Sequence, residues 1–291
     1  MITYLITGSS GSIGGYIYKY LTAENCKVIP LDRDSSNNYI VESSFVSGTQ
    51  DIVLLHFGAA TYANSNNNVK IITHNCNQLK NLISSLNSCN IIPRVVLASS
   101  TSVYNADNVS NLITENSSLT ESDVYGLSKI NSELLLSKLY DTGLISSYVS
   151  LRLPGVLAPG SWKTSRNFLS VLIHDIAENN NIKLHSPSVF FNNLIDPYLI
   201  INYIRSIVLL PDLQCIPLNL AAKNPAKISD LLDYIISKFA FKGEIEWLNG
   251  NHKSFTIDIS CAMAHGFISQ SPYQILDRFV CSHYQNHKGI P

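Results

Sequence analysis

The hydrophobic pattern of the first half of the chain switches period repeatedly. Residues 2–7 (Ile-Thr-Tyr-Leu-Ile-Thr) form a short β-rich run that stops at Gly8. Residues 14–21 carry apolar side chains at helical spacing, and 27–32 return to a strand pattern. The run 51–57 (Asp-Ile-Val-Leu-Leu-His-Phe) is apolar almost throughout, as in a strand buried on both faces. A helical pattern at 69–87, a strand at 94–99, a helix at 123–139 and a strand at 145–153 complete the series. Strands alternating with helices through short links predict parallel βαβ units, hence an α/β fold with a doubly wound parallel sheet.

After Pro159 the pattern changes. Polar loops rich in Asn and Pro separate shorter apolar stretches at 168–177, 199–210, 231–239 and 273–280. This predicts a first domain over 1–159 and a smaller, mixed α/β domain over 160–291 for the substrate, with later strands free to cross back into the first. The composition suits such a fold: 291 residues, 45% hydrophobic and 14% charged, can bury a sizeable core. A net charge of −1 with scattered Lys and Arg excludes the basic stripe of a nucleic-acid binder. No apolar run reaches the length of a bilayer span, and the longest candidate, 199–210, contains Asn202 and Arg205. The first residues lead straight into a strand rather than a signal peptide. The six cysteines (Cys26, Cys76, Cys89, Cys215, Cys261 and Cys281) have no Cys-x-x-Cys spacing and read as reduced thiols. A cytoplasmic location with no membrane contact is expected. The histidines show no ligand spacing, so no metal site is expected.

Residues 7–14 read Thr-Gly-Ser-Ser-Gly-Ser-Ile-Gly, placing Gly8, Gly11 and Gly14 between a strand and a helix. Such a turn lets the backbone approach a pyrophosphate without a Cβ in the way and presents it to a helix N-terminus. The next strand ends at Asp32, where a carboxylate bonds the ribose hydroxyls of NAD. Arg33 beside it is suited to a 2′-phosphate and leaves NADP open. Asp32 repels that phosphate and favours NAD. Together these predict a Rossmann-like dinucleotide-binding domain.

Tyr125-Gly-Leu-Ser-Lys129 falls on an expected helix, where positions i and i+4 share one face. A free phenol, with a pKa of about 10, exchanges protons poorly at neutral pH. A neighbouring Lys⁺ favours the phenolate and makes the exchange easier. Ser100, at the end of strand 94–99, lies where hydroxyls at the carboxyl edge of a parallel sheet meet the ligand. It is the candidate to bond the reacting oxygen, with Thr101 and Ser102 as substrate-touching neighbours. Asn167 is a further substrate-binding candidate.

These residues resemble the extended short-chain dehydrogenase/reductase family, in its NAD-dependent epimerase/dehydratase branch that modifies nucleotide sugars. The likeness runs through TGSSGSIG at 7–14, Asp32, HFGAA at 56–60, Asn75, VVLASSTSVY at 95–104, YGLSK at 125–129, LRLPGVLAP at 151–159, NLA at 219–221 and FTIDISCAMAHGF at 255–267. It implies Ser100, Tyr125 and Lys129 as the catalytic triad, with Tyr125 and Lys129 also touching the nicotinamide ribose. It further implies Ser12 and Ile13 over the pyrophosphate, Phe57, Gly58 and Ala59 along the cofactor, and Pro154 to Val156 near the nicotinamide amide. The segment Phe191-Asn-Asn-Leu-Ile-Asp196 departs from the family pattern, with Asp196 where the family has His. No Arg-x-Gly-Asp diphosphate clamp is visible. His252 and Lys253 stand in that region, and Lys163, Arg166 and Lys183 are placed to meet a diphosphate.

Dehydratases of this family carry an Asp-Glu pair after the catalytic Thr. Here Thr101 and Ser102 stand there, and neither hydroxyl holds a proton for elimination. A 4-keto sugar-nucleotide reductase is the expected activity, with a 4-epimerase as the alternative and a non-catalytic dinucleotide-binding regulator as the reading of another class. The resemblance also implies a homodimer built on helices 69–87 and 123–139.

Overall fold

The structure, a computed structural model, describes residues 2–36, 38–42, 51–60, 70–104, 111–119, 123–159, 167–210, 215–249 and 255–283. In chain order its elements begin β1 (Ile2–Thr7), α1 (Ser12–Ala23), β2 (Lys27–Pro30), β3 (Asp51–His56), α2 (Lys70–Ser88) and β4 (Arg94–Ser100). There follow β5 (Leu112–Ile113), α3 (Val124–Asp141), β6 (Ser147–Leu153), β7 (Gly155–Val156), α4 (Phe168–Ala177) and β8 (Ile182–His185). The chain continues with β9 (Phe190–Phe191), β10 (Leu194–Ile195), α5 (Pro197–Ile207), β11 (Ile216–Asn219), β12 (Ala226–Lys227) and α6 (Ile228–Ile236). It closes with β13 (Ile245–Leu248), β14 (Thr256–Ile257), α7 (Ser260–Ala264) and α8 (Pro272–His283).

Contacts divide the chain into two units, neither continuous in sequence. The first comprises Met1–Asn105, Leu119–Arg152 and Ile201–Leu218, and the second Ala106–Ser118, Leu153–Ile200 and Asn219–Pro291. The first unit holds a six-stranded sheet in the order β11-β6-β4-β3-β1-β2. Strand β1 pairs in parallel with β2 and β3, and β3 in parallel with β4. In β3 the consecutive residues Val53, Leu54, Leu55 and His56 are all buried, as its unbroken apolar run implies for a strand covered on both faces. Leu5, Leu54, Val95 and Leu97 of the sheet pack with Leu79, Leu82, Ile83 and Leu86 of α2 and Leu136 and Leu139 of α3.

From β1 the chain passes to β2 on one side, then returns to β3 on the other. This reversal makes the carboxyl ends of β1 and β3 the switch point at which such sheets bind ligands. Two strands differ from the pattern reading. The run expected at 27–32 stops at Pro30, leaving Asp32 beyond the strand. Strand β11 contains Pro217, which argues against a strand, but β11 lies at the sheet edge, where a missing N–H is tolerated.

The second unit is built from short paired strands: β7 with β10, β8 with β13, and β5 with β14 in parallel, and β9 with β12 antiparallel. Buried Asn192 joins three of its segments. Its amide donates to the carbonyls of Ala222 (3.0 Å) and Ile257 (2.9 Å), and its oxygen accepts from the Ile257 N–H (2.9 Å). Asp196 accepts from the Leu199 N–H (2.9 Å) at the start of α5 and from Arg278 Nε (2.6 Å). It is therefore a buried helix cap and ion-pair partner, which explains a carboxylate in that segment.

Candidate active site

The turn after β1 has the geometry that its glycines predict. Gly8 adopts φ +73°, and a Cβ there would lie 2.8 Å from Gly58 N and 2.9 Å from the Phe57 carbonyl carbon. A Cβ on Gly14 would run into the Gly8 carbonyl oxygen. Gly11 N–H closes the turn on Gly8 O at 2.9 Å. Helix α1 begins at Ser12, with no side chain capping it and no acid in its first turn. Its N-terminal N–H groups and partial positive charge are left for an anion. Ser12 is exposed at this end and Ile13 is half-buried.

Phe57, Gly58 and Ala59 form the loop that leaves β3 beside this turn. Thr7 ties the two strand ends together: its hydroxyl accepts from Gly58 N–H (2.9 Å) and shares a 3.0 Å hydrogen bond with His56 Nδ1. Burial, reinforced by the charges of Lys129 and Arg33, pushes His56 down to about 3, so the imidazole is neutral. Asn75 of α2 holds the loop from below. Its oxygen accepts from Ala60 N–H (2.9 Å), and its amide donates to Ala60 O (3.2 Å) and to Ser128 Oγ of α3 (2.8 Å). The loop after β3 and the helix that carries Tyr125 are thus joined through one buried side chain.

Asp32 and Arg33 are both exposed after β2. The Arg33 guanidinium donates to Tyr39 OH (2.9 Å) and lies 4.8 Å from that ring's centroid. A carboxylate and a seated guanidinium therefore stand side by side where the second strand ends, suited to a ribose and what it carries. The residues present fit a dinucleotide: a cradle with no room for Cβ atoms, an uncapped helix end and an exposed acid just past β2.

The three sequence-predicted catalytic residues come together in the first unit. Ser100 ends β4 and caps the 3₁₀ turn Thr101–Val103: its Oγ accepts from Ser102 N–H (3.1 Å) and donates to Ser102 Oγ (3.1 Å). Asp123 caps α3 by accepting from Gly126 N–H (2.6 Å). Gly126 lets this first turn of α3 press on the Ser102 carbonyl, with no space for a side chain. Tyr125, in that turn, is hydrogen-bonded to Ser100 through their side chains. Burial pushes the Tyr125 phenol up to about 12, the Ser100 bond opposes this and the charge of Asp123 adds to it. Lys129 is buried, donates from Nζ to Ala98 O (2.6 Å) and sits 5.6 Å from the Tyr125 ring centroid. Burial lowers Lys129 to about 8, against the pull of Glu133. At neutral pH the pair is a protonated phenol beside an ammonium.

Sequence reasoning missed the groups behind this pair. Glu133 accepts from Ser99 Oγ (2.5 Å) and from Arg152 Nε (3.1 Å) and Nη2 (2.7 Å), and Arg152 Nη1 donates to Tyr104 OH (2.7 Å). The side chains of Arg152 and Glu133 are only 3% and 11% exposed. The spacing Tyr125, Lys129, Glu133 along one helix face was the available signal. Its partner Arg152 lies within the segment 151–159, but nothing local to that segment shows the pairing.

Other predicted residues lie in the second unit. Asn167 caps α4, its oxygen accepting from Leu169 N–H (3.0 Å), and packs against Gly155, between Pro154 and Val156. Lys183 is exposed and paired with Glu246 (2.8 Å). It lines a pocket of about 450 Å³ walled by Phe168, Val189, Phe191, Ile228 and Phe255. Lys163, Arg166, His252 and Lys253 lie outside the described residues. Among the described residues no three His, Cys, Asp or Glu side chains are grouped to hold a metal, and no helix is long and apolar enough to cross a membrane.

The profile of the NAD dependent epimerase/dehydratase family matches residues 4–189, the span that contains the cradle, Ser100, Tyr125 and Lys129. The chain belongs to that family. No curated protein matches it. Among solved structures, RMD from Pseudomonas aeruginosa complexed with NADPH is similar at a TM-score of 0.77 and 16% identity, over 96% of this chain and 98% of that one. The UDP-glucose 4-epimerase of Thermotoga maritima with UDP-glucose has a TM-score of 0.77 and 14% identity, over 97% and 98%. A short-chain dehydrogenase/reductase superfamily protein from Agrobacterium tumefaciens with bound NAD has a TM-score of 0.75 and 19% identity, over 98% of both chains. At these identities the likeness establishes the fold that this family member shares with them.

Proposed function

We propose that this family member is an NAD(P)-dependent oxidoreductase acting on a nucleotide-linked sugar, and that it works as a 4-keto sugar-nucleotide reductase. The observation that carries the reading is Tyr125 held by Ser100 on one side with Lys129 on the other, at the carboxyl end of β4. Gly8, Gly11, Ser12, Ile13 and Gly14 would hold the pyrophosphate, Asp32 and Arg33 the adenosine ribose, and Phe57 to Ala59 the run between. When bound, the dinucleotide supplies hydride to the substrate carbon. The protein's part is the proton. Ser100 donates a hydrogen bond to the substrate carbonyl oxygen, and Tyr125, protonated at neutral pH, passes its proton to the same oxygen as it becomes an alkoxide. The Lys129 ammonium then stabilises the phenolate left behind. Asp32 favours NAD over NADP.

The sugar nucleotide is supported by the family match and by the likeness to a UDP-glucose-bound epimerase. The aromatic-walled pocket of the second unit, with Lys183 on its rim, suits the nucleotide portion. Thr101 and Ser102, both hydroxyls, supply no acid and base for dehydration. The test is oxidation of NAD(P)H by the purified protein with a 4-keto-6-deoxy nucleotide sugar. Tyr125→Phe is expected to lower the rate by about 10²–10⁴-fold with cofactor still bound. Interconversion of two 4-epimers without net cofactor use would replace the reductase with an epimerase. Bound cofactor with no turnover on any nucleotide sugar would make the protein a regulator.

A further inference from the structure

Arg33 is exposed just past β2, yet its guanidinium is held in place. The hold comes from a tight return of the chain. Asp34 Oδ1 accepts from the N–H groups of Ser36 (2.9 Å) and Asn38 (2.8 Å), and Asp34 N–H donates to Asn38 O (2.8 Å). Ile40 N–H then donates to Asp32 O (2.9 Å), and Arg33 and Tyr39 face each other as an antiparallel bridge. Tyr39 is carried into the core at 8% exposure, in the same buried cluster as Leu5, Leu31 and Leu54. Its ring stands edge-on to His56, with centroids 6.3 Å apart.

The Tyr39 hydroxyl reaches Gly58. A Cβ on Gly58 would run into that hydroxyl and would lie 3.1 Å from Thr7 Oγ1 and 3.2 Å from Gly8 N. The hydroxyl therefore stands at the switch point, between the ends of β1 and β3. Arg33 Nη2 donates to it at 2.9 Å, and the guanidinium carbon lies 4.8 Å from the ring centroid. The seat is a hydroxyl and a ring rather than a carboxylate, so it fixes the guanidinium without pairing off its charge. A guanidinium already ordered on a rigid ring needs less ordering when it grips a phosphate.

We propose that Tyr39 is the positioning residue for cofactor choice. By seating Arg33 at the Gly58 edge of the glycine turn, it gives the site a fixed cation for the 2′-phosphate of NADP, beside the Asp32 carboxylate that favours the 2′-hydroxyl of NAD. The chain then takes both dinucleotides. Tyr39 acts on NADP through Arg33 and leaves NAD to Asp32. This deepens the reading of the glycine turn, Asp32 and Arg33 as a dinucleotide site and rests on it.

The test is binding, read by fluorescence titration of NADH and NADPH into the purified full chain, with circular dichroism reporting the fold. Wild type is expected to bind both, NADH more tightly. Tyr39→Phe keeps the ring and removes the hydroxyl. It should weaken NADPH about fivefold, the worth of one hydrogen bond, and NADH by less than about twofold. Arg33→Met should weaken NADPH about tenfold or more. In the Arg33→Met background, Tyr39→Phe should then change NADPH by less than about twofold, because the two side chains act as one unit. Arg33→Lys keeps the charge but loses the planar fork, and should weaken NADPH about threefold or more. This last variant decides the matter should Tyr39→Phe not fold. Equal weakening of both dinucleotides by Tyr39→Phe, an undiminished NADPH loss in the Arg33→Met background, or wild-type NADPH affinity in Arg33→Lys overturns the proposal. So does a wild type that binds NADH and not NADPH. Failure of the dinucleotide reading looks different: wild type binds neither.

Discussion

Gly8 and Gly143 make a controlled pair for measuring what the cradle demands. Both have positive φ, +73° and +71°. They differ in what a side chain would meet. A Cβ at Gly143, just past α3, has nothing within 4 Å, whereas one at Gly8 lies 2.8 Å from Gly58 N and 2.9 Å from the Phe57 carbonyl carbon. Alanine at either site carries the left-handed strain, about 1–2 kcal/mol. Alanine at Gly8 must also push two backbone segments apart, and overpacking of this kind costs about 1–3 kcal/mol more. Gly143→Ala should therefore lose about 1–2 kcal/mol and Gly8→Ala about 2–5 kcal/mol. At roughly 2–4 °C per kcal/mol the melting temperatures should separate clearly. The assay is urea unfolding of both variants alongside NADH titration by fluorescence. If the turn holds the pyrophosphate as proposed, Gly8→Ala should also weaken NADH at least about tenfold, about 1.4 kcal/mol, while Gly143→Ala leaves it unchanged. Equal losses of stability in the two variants, or wild-type NADH affinity in Gly8→Ala, would refute the cradle argument.

Three further outcomes follow from the same structure. Asp32→Ser removes the carboxylate that repels a 2′-phosphate while keeping Arg33, and should move the NAD-to-NADP affinity ratio toward NADP by about tenfold or more, about 1.4 kcal/mol, measured by paired titrations. His56 titrates at about 3 in the fold. The unfolded chain, at about 6.5, therefore binds a proton that the native state does not. Stability should fall as pH drops through that window, by up to about 5 kcal/mol from this group, and part of that dependence should vanish in His56→Gln by urea unfolding across pH. Asn75→Leu strands Ala60 N–H and C=O and Ser128 Oγ, and should cost about 2–4 kcal/mol while loosening cofactor affinity. Unchanged NADH binding in a destabilised Asn75→Leu would show that the Ala60 loop keeps its position without it.

Much of the first unit was legible because its signals are local. The apolar run of β3, the glycines after β1 and the four-residue spacing of Tyr125 and Lys129 each occupy one short window. Asp123, read as the start of a helix, is the N-cap of α3. What was hidden involves residues far apart in sequence. Strand β11 is masked by Pro217, acceptable only because β11 is an edge strand. Asp196 resembles a misplaced family residue until Arg278 and the start of α5 are seen beside it. Ser99 and Arg152 fall within the segments 95–104 and 151–159, but their bonds to Glu133 appear only when residues of β4 and β6 meet α3.

Taken alone, the sequence determined the element types, the tight glycine turn after β1 and the shared helix face of Tyr125 and Lys129, since each depends on backbone preference and side-chain period over a few residues. The tertiary structure decided how those groups are charged. Burial raises Tyr125, lowers Lys129 and keeps His56 neutral. The pairing of Glu133 with Ser99 and Arg152 depends on α3 meeting residues of β4 and β6. Charge states depend on solvent exclusion and on neighbours brought together by folding, and no local pattern encodes either.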